Sequence, residues 1–182
     1  PGHRPYDEVL SYVQDYYLNH GYERAEFVID DEVPHLWPVL YQSDYDNTYY
    51  NYYFDHKNYA GEWKYILFAH YSVVNGHRVL GWCNAGGGNK ICIADAQCDE
   101  YADDFWNYWL GGVTRTQVQK VVLMHEGGHS INIIEYDAYM REVYCDLAPG
   151  GNSYCVMAQC NWDNCDDYPW YCSFHWNLRH FP

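Results

Sequence analysis

Two histidines and a glutamate within five residues are the strongest candidates for chemistry in this chain. The stretch "VVLMHEGGHSINIIE" places His125 and His129 four residues apart, with Glu126 directly after the first histidine. In a helix this spacing puts both imidazoles on one face, one turn apart, so both can bind the same metal ion. Glu126 lies on the adjacent face, where a carboxylate can take a proton from a water molecule. The pattern predicts a zinc site that hydrolyses peptide bonds, with Glu126 as general base.

A helix must position these residues, and the preceding sequence predicts one. In "TRTQVQKVVLMHEGGH", Thr116 and Gln119 stand three residues apart, which is a capping-box arrangement at a helix start. Five residues then fall on one helical face at spacings i, i+3, i+4, i+7 and i+11: Val118, Val121, Val122, His125 and His129. Gly127 and Gly128 each cost about 1 kcal/mol relative to alanine in a helix interior. We therefore expect them to leave space beside the metal for a substrate backbone or a neighbouring strand.

A catalytic zinc also needs a third protein ligand and an open position for water. Asn132 suits a left-handed turn that would end the helix, and such a turn would bring Glu135 to the ion. If a second helix follows instead, "YDAYMREVYCDL" would present Glu142. His175 and His180 are more remote alternatives. The residues alone leave the third ligand open.

Two motifs resemble a known family. "HEGGHSINIIE" resembles the metzincin metallopeptidase signature HExxHxxGxxH/D, with Asn132 at the glycine position and Glu135 at the third-ligand position. "SYCVMAQC" resembles the Met-turn of the same clan, which implies that Met157 lies beneath the metal. Its Cys-Val-Met form is similar to archaemetzincins. Gluzincins, which take their third ligand from a glutamate on a later helix, are the alternative family through Glu142, but they do not account for the Cys-Val-Met stretch.

The resemblance implies an α+β fold and a single catalytic domain over residues 1–182. Residues 1–131 would form an upper subdomain, a twisted, mostly parallel or mixed sheet with helices that ends in the active-site helix. Residues 132–182 would form an irregular, disulfide-stapled lower subdomain that carries the Met-turn, with a cleft between the two. An extended protein or peptide substrate would pair with an edge strand formed by four residues: Val79, Leu80, Gly81 and Trp82.

Several other elements are predicted from local patterns. Residues 7–21 show the apolar spacing of a helix that stops at Gly21. A strand is predicted over 24–33, ending before Pro34, and a long β-rich run extends over 62–74. "NGH" at 75–77 predicts a hairpin turn, and two further strands, "RVLGWC" and "KICIAD", flank a glycine-rich turn. "DDFWNYWLGG" is interpreted as a short helix or an aromatic loop.

Charge and cysteine usage limit the class of protein. A formal net charge of -15 argues against nucleic-acid partners and against attachment to anionic membranes. No stretch approaches the roughly 20 apolar residues that span a bilayer. Eight cysteines without a CxxC pair favour disulfides and an extracellular location, with Cys83 and Cys92 as candidates for one bridge. The chain starts at Pro1 rather than methionine, so we expect that an upstream segment was removed.

A tyrosine-rich segment supports a different function. Residues 41–61 are rich in tyrosine, asparagine and aspartate without a clear period. We interpret the segment as a surface insertion, with substrate binding or self-association as the functional alternatives. The alternative function is therefore a secreted, tyrosine-rich structural or self-assembling protein in which a metal only supports the fold or is vestigial.

Overall fold

The computed structural model describes residues 6–22, 39–41, 43–44, 64–84, 90–103 and 112–131, together with Ile133, Cys155, Met157 and Tyr171. Within these ranges the helices are α1 (Asp7–Asn19), α2 (Asp95–Asp103) and α3 (Arg115–Ser130). The strands are β1 (Val39–Tyr41), β2 (Tyr65–Ala69), β3 (Tyr71–Val74), β4 (His77–Arg78), β5 (Gly81–Cys83) and β6 (Lys90–Ala94). The α+β class predicted from the sequence is confirmed at this level.

The strands form two small mixed sheets. In one, β3 pairs with β1 in parallel and with β4 antiparallel. In the other, the central strand β6 pairs with β2 in parallel and with β5 antiparallel. The sequence predicted one sheet; among the described strands there are two, because the β-rich run over 62–74 divides at His70 between β2 and β3, which join different sheets.

Two predictions about turns are confirmed in this region. Asn75 and Gly76 have φ angles of 50° and 81° and connect β3 to β4, as the "NGH" hairpin predicted. The helix predicted over 7–21 is α1, which ends at Asn19 and is followed by Gly21 with a φ of 101°. The hairpin turn and the end of α1 both need backbone in the left-handed region, which glycine and asparagine adopt at low cost.

The predicted bridge between Cys83 and Cys92 is wrong. In the antiparallel register Cys83 lies opposite Ile91, and Cys92 lies opposite Trp82. Because neighbouring residues of a strand face opposite sides of the sheet, the two sulfurs belong to different apolar clusters. Both are buried thiols, and so are Cys98 and Cys155.

Helix α3 is the central element of the described core. It packs against α1, α2, β5 and β6, and 12 of its 16 residues are buried. Burial of an apolar side chain contributes about 1.5–3 kcal/mol, so packing fixes this helix far more strongly than its glycine-containing sequence would. The residues that carry the candidate chemistry therefore stand on a rigid support.

The start of α3 differs from the sequence prediction. Thr114, not Thr116, is the N-cap: its hydroxyl accepts from Gln117 N at 3.2 Å, and its own N–H donates to Gln117 Oε1 at 2.6 Å. The predicted partner Gln119 is buried and donates instead to Asp95 of α2. A capping box is present, but it begins two residues earlier.

Polar contacts tie the other helices to α3. Arg115 bonds to Asp95 and, at 3.1 Å, to Asp99, so α2 is held against the first turn of α3. Lys120, buried on α3, pairs with Glu8 of α1 at 2.8 Å. Helix α2 was not predicted, because Cys98 is its only buried residue and it lacks a strong apolar stripe.

Some predictions fall outside the described residues. These are the strand over 24–33, nearly all of "DDFWNYWLGG", most of the segment 41–61, and the cysteines at 145, 160, 165 and 172. The division into subdomains at residue 131, the extracellular location and the self-association surface stay predictions. Among the described helices, none has the length and apolar character needed to cross a bilayer.

Candidate metal centre

The two histidines of α3 converge as the sequence predicted. Nε2 of His125 lies 3.1 Å from Nε2 of His129, with the ring planes at 83° to each other. Two nitrogen ligands at about 2.0–2.1 Å from a tetrahedral zinc are about 3.3 Å apart, so the donor set fits one shared ion. Burial, and then the neighbouring His125, lower the pKa of His129 to about 3. His129 is therefore neutral at pH 7, which is the form that binds a metal.

Glu126 is buried next to an edge strand. A Cβ added to Gly81 of β5 would lie 2.9 Å from Glu126 Oε1 and 2.5 Å from Val122 Cγ1. Only glycine allows the β5 backbone to approach α3 this closely. Burial, and then the charge of Glu126, raise the pKa of the Cys83 thiol on the same strand. Glu126 thus lies against the backbone of β5 and follows His125 directly in the helix.

The outer side of β5 is suited to accept another strand. Ala94 N donates to Leu80 O at 2.8 Å, and Asn84 N donates to Lys90 O at 3.2 Å. Since paired residues alternate along an antiparallel ladder, Gly81 and Cys83 direct their backbone groups away from β6. Among the described strands, β5 pairs only with β6.

The four predicted substrate-binding residues have different surroundings. Val79 N donates to Ser72 O at 3.1 Å, and Leu80 O is the acceptor for Ala94. Trp82 packs against the apolar cluster on the sheet face away from α3. Gly81 alone lies against Glu126.

Met157 lies on the other side of the histidines. A Cβ added to Gly128 would lie 2.6 Å from Met157 Sδ, and this methionine is buried. At about 100° per residue around the helix, His125 and His129 fall between Glu126 on one side and Gly128 on the other. The histidine pair is thus flanked by β5 on one side of the helix and by Met157 on the other.

The purpose predicted for the two glycines is wrong. Instead of a substrate backbone or a strand, side chains fill the space. A Cβ on Gly127 would lie 2.7 Å from the hydroxyl oxygen of Tyr17, and a Cβ on Gly128 would lie 3.1 Å from Cε1 of Tyr171. The glycines admit tyrosine rings and Met157, and the close approach of a strand occurs at Gly81 instead.

The end of α3 agrees with a break near Asn132. The helix stops at Ser130, and Ile133 N donates to Gly128 O at 2.8 Å, the long bond that closes a Schellman motif. Lys64 donates to Ser130 O at 2.8 Å and adds a cation at the negative end of the helix. Asn132, Glu135 and Glu142 themselves lie outside the described residues.

Within the described residues, no three or more His, Cys, Asp or Glu side chains form a group that could hold a metal. The two histidines supply two ligands, so a third must come from elsewhere in the chain. No family model, curated protein or solved structure matches the sequence. The function is therefore inferred from the geometry around His125, Glu126 and His129.

Sequence reasoning missed Tyr17, Tyr171 and Lys64, which all contact α3 from distant parts of the chain. Tyr17 and Tyr171 are two of 22 tyrosines, so residue type did not distinguish them. The only signal was indirect: adjacent glycines in a buried helix indicate that something comes close to its backbone.

Gly127→Ala is expected to destabilise the protein by about 1–2 kcal/mol, although the same change in an unobstructed helix stabilises by about 1 kcal/mol. The added methyl would displace the buried Tyr17 hydroxyl. In a Tyr17→Phe background the nearest ring carbon is 3.9 Å away, so the effect of Gly127→Ala should change sign and become stabilising. Urea denaturation of the double-mutant cycle measures this, with Ser11→Ala at an exposed position of α1 as the helix-propensity control. The same sign in both backgrounds would contradict the steric explanation.

Proposed function

We propose that this chain is a zinc-dependent endopeptidase that hydrolyses peptide bonds in extended protein or peptide substrates. The observation that carries the proposal is the convergence of His125 Nε2 and His129 Nε2 at 3.1 Å beside Glu126. An ordinary pair of core histidines has no need of a buried carboxylate and a glycine-lined edge strand next to it. The position of Met157 on the opposite side adds support for a metzincin-like arrangement.

His125 and His129 would hold the zinc, with Glu135 as the proposed third ligand. The zinc, when bound, would polarise the scissile carbonyl and make a water molecule more acidic. Glu126 then accepts the proton of the attacking water and returns it to the leaving amine. Because Glu126 is packed against Gly81, its carboxylate has little freedom and stays directed at one place.

The backbone of strand β5 favours a substrate peptide in an extended conformation over a compact one. Its outward backbone groups at Gly81 and Cys83 can pair with a peptide strand, which gives affinity without requiring a particular side chain. Such a peptide would run alongside Glu126. The large negative net charge of -15 further disfavours acidic partners.

Metal analysis combined with turnover of a quenched-fluorescent peptide library tests the proposal. Purified protein is expected to contain about one zinc per chain, and the zinc-loaded protein is expected to cleave peptides internally. His129→Ala should lose both the metal and the cleavage, whereas His20→Ala, an exposed histidine on the far end of α1, should keep both. Zinc without any cleavage would favour the structural alternative, and a chain that binds no zinc would refute the site.

A further inference from the structure

A chain of hydroxyl groups ends on the backbone of the active-site helix. Tyr171 donates its hydroxyl proton to the carbonyl oxygen of Met124, which can only accept. The Tyr17 hydroxyl lies 3.0 Å from that of Tyr171, so Tyr17 is the donor to Tyr171. Tyr16 accepts from Tyr171 N at 3.1 Å and fixes the tyrosine from its backbone side. These contacts connect α1 and Tyr171 to one oxygen of α3.

That oxygen has a special position relative to the metal ligands. The Met124 carbonyl belongs to the same peptide unit as the N–H of His125, so holding it fixes the orientation of the peptide that carries this histidine. In an α-helix the same oxygen also accepts the N–H four residues on, which is Gly128, the neighbour of His129. One acceptor therefore lies in the peptide unit of His125 and bonds to the residue directly before His129.

The helix needs such support between the histidines. Gly127 and Gly128 form the turn that separates them, and glycine has more backbone freedom than any other residue. The same glycines make the contact possible, because a Cβ at either position would meet Tyr17 or Tyr171. Burial raises the pKa of both phenols above their ordinary value, so each keeps the proton that it donates at neutral pH.

We propose that Tyr171 is a positioning residue for the two histidines, and that Tyr17 supports it by donating to its hydroxyl. The inference rests on the zinc site proposed above. A hydroxyl that acts on the helix backbone replaces the stiffness that the two glycines remove, so the distance between the imidazoles is kept at the value that one ion requires. In this role Tyr171 does not touch the metal or the substrate.

The test uses Co²⁺ as the probe, because its visible absorption reports the geometry of its ligands. We expect Tyr171→Phe to weaken Co²⁺ binding by about tenfold and to change the absorption bands, as loss of an orienting partner typically does. Tyr17→Phe should weaken binding less, by about threefold, because it removes only the supporting bond. Tyr12→Phe, on α1 but with its ring under Lys120, is the matched control and should change neither quantity.

Thermal unfolding of the metal-free variants separates positioning from stability. If Tyr171→Phe lowers the melting temperature but binds Co²⁺ with the affinity and spectrum of the unmodified chain, the residue is only structural and the inference is overturned. Should Tyr171→Phe fail to fold, wild-type affinity and spectrum in Tyr17→Phe would overturn it instead. If the unmodified chain binds neither Co²⁺ nor Zn²⁺, the proposed zinc site is refuted, and the inference that rests on it is refuted as well.

Discussion

Glu126→Gln is expected to lower peptide turnover by about 10²–10⁴-fold while zinc content stays unchanged, because a general base typically contributes that factor. Glutamine has nearly the same shape, so it should fit beside Gly81 without disturbing the histidines. It cannot accept a proton from water. The measurement is kcat on a cleavable peptide from the library, alongside elemental analysis of the same preparation.

The control for Glu126→Gln is Glu100→Gln. Glu100 is an exposed glutamate on α2 that accepts from Arg78 at 2.9 Å and from Tyr71 at 2.6 Å, remote from the histidines. Its replacement removes one negative charge, as Glu126→Gln does, and should leave turnover nearly unchanged. Equal turnover in the Glu126 variant and the unmodified chain would exclude Glu126 as the base, even if zinc is present.

The parts of the site that were predictable are those that depend on near neighbours in sequence. The convergence of His125 and His129 follows from a spacing of four residues in one helix, and the turn at Asn75 follows from two adjacent residues. The position of β5 antiparallel to β6 also follows from a short connection. Periodicity and turn chemistry contain this information directly.

The parts that were missed depend on contacts between distant residues. Tyr17 reaches Gly127 from 110 positions away, and no local pattern encodes that contact. The division of the β-rich run at His70 is similar, because a continuous apolar stretch does not show where a chain leaves one sheet for another. In the capping box, two threonines each precede a glutamine by three residues, and the choice of Thr114 goes together with the bond between Gln119 and Asp95.

A common cause underlies the two wrong predictions about glycines and cysteines. The sequence showed that the backbone of α3 is closely approached, but it did not show by what. It showed that Cys83 and Cys92 flank a hairpin, but a shift of one residue in register puts their side chains on opposite faces. In both cases local chemistry indicated only that two parts of the chain come close, and the three-dimensional register decided which groups meet there.

The third ligand can be assigned by comparing two glutamates. We expect Glu135→Ala to weaken zinc binding by orders of magnitude, because a catalytic zinc with two protein ligands is incomplete. Glu142→Ala should leave the metal content intact. A continuous helix would carry Glu135 too far along its axis to share an ion with His129, but α3 ends at Ser130 and Ile133 already bonds back to Gly128. Because α3 ends before Glu135, the main argument against Glu135 as a zinc ligand no longer applies.

Zinc affinity of both variants, measured by competition with a chelator, distinguishes the two arrangements. Loss of binding in Glu142→Ala with retention in Glu135→Ala would replace the metzincin-like proposal with a gluzincin-like one, in which a second helix returns to the first. Asn132 provides an independent check on the turn. Asn132→Gly should keep full affinity, whereas Asn132→Val should reduce it, since a β-branched residue is strongly disfavoured in the left-handed conformation of the proposed turn. Equal zinc affinity in both Asn132 variants would mean that no such turn delivers the third ligand.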